Sequence, residues 1–130
     1  MSRAEDAARR AEMAQAQARI EAKEAQKLID AFLVDVARAG IAPTPLTATL
    51  LGGAKVKTDK QGWYLRKNRS LAIGTDGGYY VLTAPGGWRE RIRGVTLEPT
   101  LPVLVIGRGG RDGETGELAE FLQWILERDA

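Results

Sequence analysis

Residues 103–118 read VLVIGRGGRDGETGEL: an apolar run, four glycines in seven residues, then the opening of an amphipathic helix. A strand, a glycine-rich loop and a helix in that order form the layout that cradles a phosphate in nucleotide-binding folds. If the loop holds a phosphate, the chain is a parallel α/β protein. If it only turns the chain, a different architecture follows.

The residues favour the turn. Dinucleotide folds use G-x-G-x-x-G, and Gly107 and Gly109 fit, but Asp112 holds the third position. The P-loop form needs Gly-Lys followed by Ser or Thr, a combination the chain lacks. Asp112, Glu114 and Glu117 crowd the helix start with carboxylates that already satisfy its dipole. Both motifs also belong to βαβ units, yet only one helix follows this loop. A calcium reading of the same carboxylates lacks the EF-hand spacing.

Upstream, the pattern is that of short strands. From Gly62 the apolar period is two: Trp63 to Arg66, Leu71 to Ile73, Tyr79 to Leu82, Trp88 to Arg93, Val95 to Leu97 and Val103 to Ile106. Turn chemistry at Lys67 to Ser70 and Asp76 to Gly78 separates them, so hairpins are expected. Residues 45–51 fit either a helix, by Thr44-Pro45 and Gly52, or a strand, by alternation of Leu46, Ala48 and Leu50 with threonines. Thr-x-x-x-Gly-Trp occurs at Thr58 to Trp63 and again at Thr83 to Trp88, which reads as two similar turns rather than a repeat. Downstream, Leu118, Phe121, Leu122, Ile125 and Leu126 make one helical stripe from about Thr115 to Arg128, with Trp124 off it.

At the other end, Ser2 and Glu5 have capping-box spacing and open a long helix from about Arg3 to Ala39, which Gly40 stops. Its first half is rich in alanine and i,i+4 acid–base pairs, with only Met13 and Ile20 as large apolar residues. From Leu28 onward, Leu28, Ile29, Phe32, Leu33 and Val36 form an apolar stripe. The expected fold is therefore α+β: a long N-terminal helix, an antiparallel β-meander of 5–7 short strands and a C-terminal amphipathic helix packed on the sheet. Residues 1–40 form the helix, an arm to about 26 and core-packed after that, and 41–130 form the globular α+β domain. Six or seven strands before one capping helix is similar in element order to pleckstrin-homology-like domains, and order alone implies no function.

Composition limits the chemistry. A chain of 130 residues holds one ordinary core. No apolar stretch exceeds four residues, so neither a signal peptide nor a membrane span is expected and the protein reads as cytoplasmic with no membrane partner. With no histidine and no cysteine, Ser-His-Asp and Cys-His catalysis are excluded, as are the usual zinc ligands. No cofactor or metal is expected, and no carboxylate pair on one local element suggests an enzyme. The abundance of alanine, glycine and arginine is that of a GC-rich bacterial or phage genome. Charge is unevenly distributed: Lys55 to Arg111 carry eleven basic against four acidic residues, net +7, and Asp112 to Ala130 carry one against six, net −5.

Two binding readings follow. In the first, the chain is a non-catalytic binding or adaptor module whose N-terminal helix contacts a protein partner or a second copy, with Met13, Ile20 and Trp124 as contact residues. In the alternative, it binds nucleic acid or another polyanion through a basic strand face. There Arg89, Arg91 and Arg93 would alternate to one side, Lys55, Lys57, Arg66, Lys67 and Arg69 would extend the patch, and Tyr64 or Tyr79 would offer stacking faces. A plain solvent-facing side of a sheet accounts for the same arginines, with the acidic C-terminal segment neutralising them.

Overall fold

The computed structural model describes residues 2–107 and 115–128. Helix α1, Arg3–Ala39, begins where the Ser2 hydroxyl accepts from the Glu5 amide at 3.1 Å. It ends in a Schellman motif: Gly40 takes a left-handed φ of 71°, Gly40 N–H donates to Ala37 and Ile41 N–H to Val36. At 1.5 Å per residue its 37 residues extend about 55 Å. That length exceeds what the body can cover. Burial begins at Ala22 and recurs at Ala25, Ile29, Phe32 and Val36. Glu21 ties this part of α1 to the rest of the chain, its carboxylate accepting from the Leu104 amide at 2.8 Å.

Four strands follow as a meander: β1 (Thr44–Leu50), β2 (Lys55–Tyr64), β3 (Leu71–Gly74) and β4 (Tyr79–Val81), each antiparallel to the next. Pairing with β2 settles residues 45–50 as a strand, with Leu51 in the turn that follows, and a register shift between Pro45 and Thr47 admits the proline, which has no amide to donate. The sheet is mixed rather than wholly antiparallel, because β5 (Thr83–Ala84) runs parallel to β1 at the opposite edge. Only Leu82 separates β4 from β5. Its N–H donates to Ser70 and its carbonyl accepts from Thr49, so one short segment forms both edges of the sheet, which curls on itself. A close approach inside the curl explains one glycine of the Thr-x-x-x-Gly-Trp pair: a Cβ on Gly62 would lie 1.9 Å from the Ile73 carbonyl oxygen.

Alternation along the strands divides the interior. Leu71, Ile73, Tyr79 and Trp63 face α1 and helix α3 (Leu118–Arg128), joining Ile29, Phe32, Phe121, Leu122 and Ile125. Phe32 meets Trp63 edge to face, with centroids 5.6 Å apart, and the indole N–H donates to Ile41. Leu46, Ala72, Tyr80 and Leu82 line the inside of the curl. Helix α3 packs on α1, as its apolar stripe requires. It starts at Leu118 rather than Thr115, because β7 (Gly116–Glu117) pairs with β6 (Val105–Ile106).

Two expected strands take other forms. Trp88–Arg93 is a short helix, α2, and Val95 to Leu97 makes a single parallel bridge, Val95 to Thr58. Gly86 and Gly87 break the chain after β5, and the Glu90 carboxylate reaches back to accept from the Gly87 amide at 3.2 Å. That cap tips a short, helix-compatible segment of Arg and Glu away from the extended form. Of the glycine-rich loop only Gly107, with φ of 82°, lies within the described residues, so the phosphate question at Gly109 and Asp112 falls outside them.

Candidate functional site

The contact residues expected on α1 are exposed: Met13 at 61% and Ile20 at 64%. They lie on one side of the arm, and a second feature runs along another. At 100° per residue, Ala4, Ala7, Ala11, Ala14 and Ala18 fall on the same face as the buried Ala22, Ala25, Ile29 and Phe32. The face that seals the core thus continues outward as a stripe of alanine. Heptad counting from the large residues alone passes over it. Trp124 belongs elsewhere: it is half-buried at the core margin, and Arg128 stacks over its ring at 4.0 Å.

The helical form of α2 overturns the expected single row of arginines. On a strand, residues 89, 91 and 93 share a face; on a helix, Arg89 and Arg93 do, while Arg91 points nearly the opposite way. Trp88 and Ile92 form the neighbouring column, 71% and 66% exposed, and α2 buries no residue of its own. Trp88, Arg89, Ile92 and Arg93 line a cleft of about 430 Å³. A second, of about 360 Å³, shares Arg93 and runs past Gly94 to Lys57 and Thr58. Arg93 lines both clefts, one with the Trp88 ring and the other with the first half of β2.

The groove is held from beneath. Gly94, at φ 85°, sits where a Cβ would lie 2.7 Å from the Lys57 carbonyl oxygen. Val95 N–H donates to Lys57 at 2.9 Å, and Asp59 N–H donates to Val95 at 3.2 Å. The Asp59 carboxylate is occupied by the Leu97 amide and by Lys60, and these hold its pKa below the usual 3.8. Its negative charge is thus already engaged.

Arg66 and Lys67 do not join Arg89 and Arg93. They lie in the turn after β2, beyond the end of that strand from Lys57. Arg66 is half-buried and donates to Ser70 at 3.3 Å, while Lys67 lines a cleft of about 300 Å³ with Glu120, Phe121 and Trp124. Neither expected stacking face is open. Tyr79 is buried, and Tyr64 lies under the Arg69 guanidinium at 5.2 Å with its hydroxyl accepting from Thr47. Trp88 is the exposed ring next to the arginines, a role missed because alternation had placed it on the opposite face.

Tyr80, Asp76 and Lys60 form a polar cluster. The Tyr80 hydroxyl donates to Asp76, whose other oxygen accepts from the Gly78 amide at 2.9 Å, and Lys60 lies 5.9 Å from the Tyr80 ring centroid. Burial, then the Asp76 bond, raises the Tyr80 pKa and keeps the phenol protonated. This arrangement fixes the tight turn from Gly74 to Gly78. Among the described residues no group of three His, Cys, Asp or Glu side chains could hold a metal ion, and no helix is long and apolar enough to cross a membrane. Compared with known protein families, curated proteins and solved structures, the chain matches none.

Proposed function

We propose that this protein is a non-catalytic adaptor that makes helix-to-helix protein contacts through the outer part of α1. The observation that carries the reading is the alanine stripe from Ala4 to Ala18, which prolongs the buried face of α1 beyond the body. An unsupported helix of this length is marginal in water, and a partner that covers the face stabilises it. Small side chains let a second backbone approach closely, so the partner element is a helix. The first partner to test is a second copy of the arm, since two such stripes are mutually complementary. The absence of histidine and cysteine, and a tyrosine–carboxylate pair that closes a turn, accord with a protein that binds rather than catalyses.

Native mass by sedimentation tests the reading. The full chain is expected to self-associate at tens of micromolar. Removing residues 1–18, which leaves Glu21 and Ala22 in place, should give a folded monomer, and Ala11→Glu should do the same. A full chain that stays monomeric at 200 μM, or an Ala11→Glu variant with unchanged mass, would defeat the proposal.

A further inference from the structure

We infer that the groove along α2 binds single-stranded nucleic acid, with Trp88 as the stacking platform and Arg89, Arg93 and Lys57 as the phosphate contacts. Three observations converge. The first is an aromatic ring left 71% exposed on a helix that buries nothing, a costly arrangement unless the ring meets a flat apolar partner. The second is charge: among the described residues Arg89 and Arg93 have no ion-pair partner, and Asp59, which also lines the Lys57 cleft, is paired with Lys60, so the lysine and arginines outnumber the one remaining carboxylate nearby, Glu90. The third is shape. The cleft at Trp88 and the cleft at Lys57 lie side by side, with Arg93 lining both.

Shape and chemistry together choose the ligand. An anionic bilayer is met best by a convex apolar tip, and a duplex hides its base faces. A single strand offers both things the groove lacks: a row of phosphates and unstacked bases. The track is short, so it accommodates only a few nucleotides. Thr58 lies within it, but its hydroxyl donates to the Leu46 carbonyl, which leaves base-specific readout weak. Binding is therefore expected to tolerate sequence. The inference does not depend on the helical arm.

Fluorescein-labelled oligo(dT) of 12 nucleotides, titrated with the full chain and followed by anisotropy, tests it. At 20 mM NaCl binding is expected in the micromolar range. The plot of log affinity against log salt should have a slope near −2, from about 0.7 per neutralised phosphate and three cations. Arg89→Ala with Arg93→Ala should reduce that slope to about −0.7. Trp88→Ala should weaken binding roughly 5- to 150-fold, with Trp88→Phe restoring most of it. Since α2 has no buried residue, all these variants should melt like the parent. No anisotropy change up to 100 μM protein would overturn the inference. So would Trp88→Ala binding as tightly as the parent, or equal affinity for polyglutamate, a 12-base-pair duplex or phosphatidylserine vesicles.

Discussion

Replacing Phe32 with alanine separates the two halves of α1 energetically. Phe32 is 2% exposed, packs edge to face on Trp63 and sits in the middle of the core between α1, α3 and the sheet. Truncating a buried phenylalanine costs about 3–5 kcal/mol, made up of lost transfer energy and the cavity left behind. Trp63 cannot move to fill the gap without breaking its hydrogen bond to Ile41, which favours the upper part of that range. A domain of this size has a total stability of roughly 5–15 kcal/mol, so the variant keeps only part of it. At about 3–5 °C per kcal/mol the melting temperature should fall by roughly 10–25 °C. Met13→Ala, eight residues N-terminal to Glu21, should change stability by less than about 0.5 kcal/mol. Urea unfolding at sub-micromolar protein, where self-association is absent, reads both. Equal slopes and a displaced midpoint for Phe32→Ala alone are expected. A midpoint shift below 1 kcal/mol for Phe32→Ala, or an equal shift for Met13→Ala, would refute the division of α1 into a buried and a projecting half.

Gly62→Ala should unfold the domain or cost more than about 3 kcal/mol, since its Cβ would meet the backbone of β3 at Ile73 and Gly74, with no flexible side chain able to give way; far-UV dichroism and a melt decide this. Stability should also fall in acid. The Leu97 amide lowers the Asp59 pKa, and at Asp76 bonds from Tyr80 and Gly78 outweigh the opposing effect of burial. Both carboxylates therefore bind protons more weakly folded than unfolded, so their contribution is complete above the ordinary value of 3.8 and disappears as pH falls through the lower folded values. Urea midpoints between pH 6 and pH 2.5 should show the loss, and Asp76→Asn should reduce its size; an identical profile for that variant would contradict the assignment.

Where the sequence was informative, a local signal and the tertiary structure agreed. Ser2 and Gly40 mark both ends of α1 because a helix end must satisfy its own backbone groups, a requirement that depends on neighbours in sequence. The stripe of Leu118, Phe121, Leu122 and Ile125 located the buried face of α3 for the same reason. Trp88 to Arg93 went the other way. Six residues are too few to separate period two from period 3.6, and both Trp88/Glu90/Ile92 and Trp88/Ile92 make plausible faces. The deciding interactions are the Glu90 cap and the Gly94 contact with Lys57, one of them distant in sequence. The parallel pairing of β5 with β1 is likewise set by the curl of the whole sheet. At the candidate sites, arginines were legible as a group, but which of them share a face depended on that one misread element.

The corrected placement also bears on whether the acidic C-terminal residues neutralise the basic middle of the chain. Neutralisation needs proximity, because exposed charges separated by more than about 10 Å are largely screened at ordinary ionic strength. Helix α3, which carries Glu120 and Glu127, packs on α1 over the core of Phe32 and Trp63, whereas α2 is held against β2 through Gly94 and Val95. Glu120 has a basic neighbour, Lys67, but that residue belongs to the turn beyond β2 and not to the groove. Among the described residues, neither Glu120 nor Glu127 is paired with Arg89 or Arg93. The consequence is measurable without any ligand of known identity. Charge reversal at Glu120 and Glu127 should leave the salt slope for a single-stranded oligonucleotide unchanged, while charge removal at Arg89 and Arg93 should reduce it. If the α3 substitutions alter the slope as much as the α2 ones do, the two charge groups are coupled and the groove does not act alone.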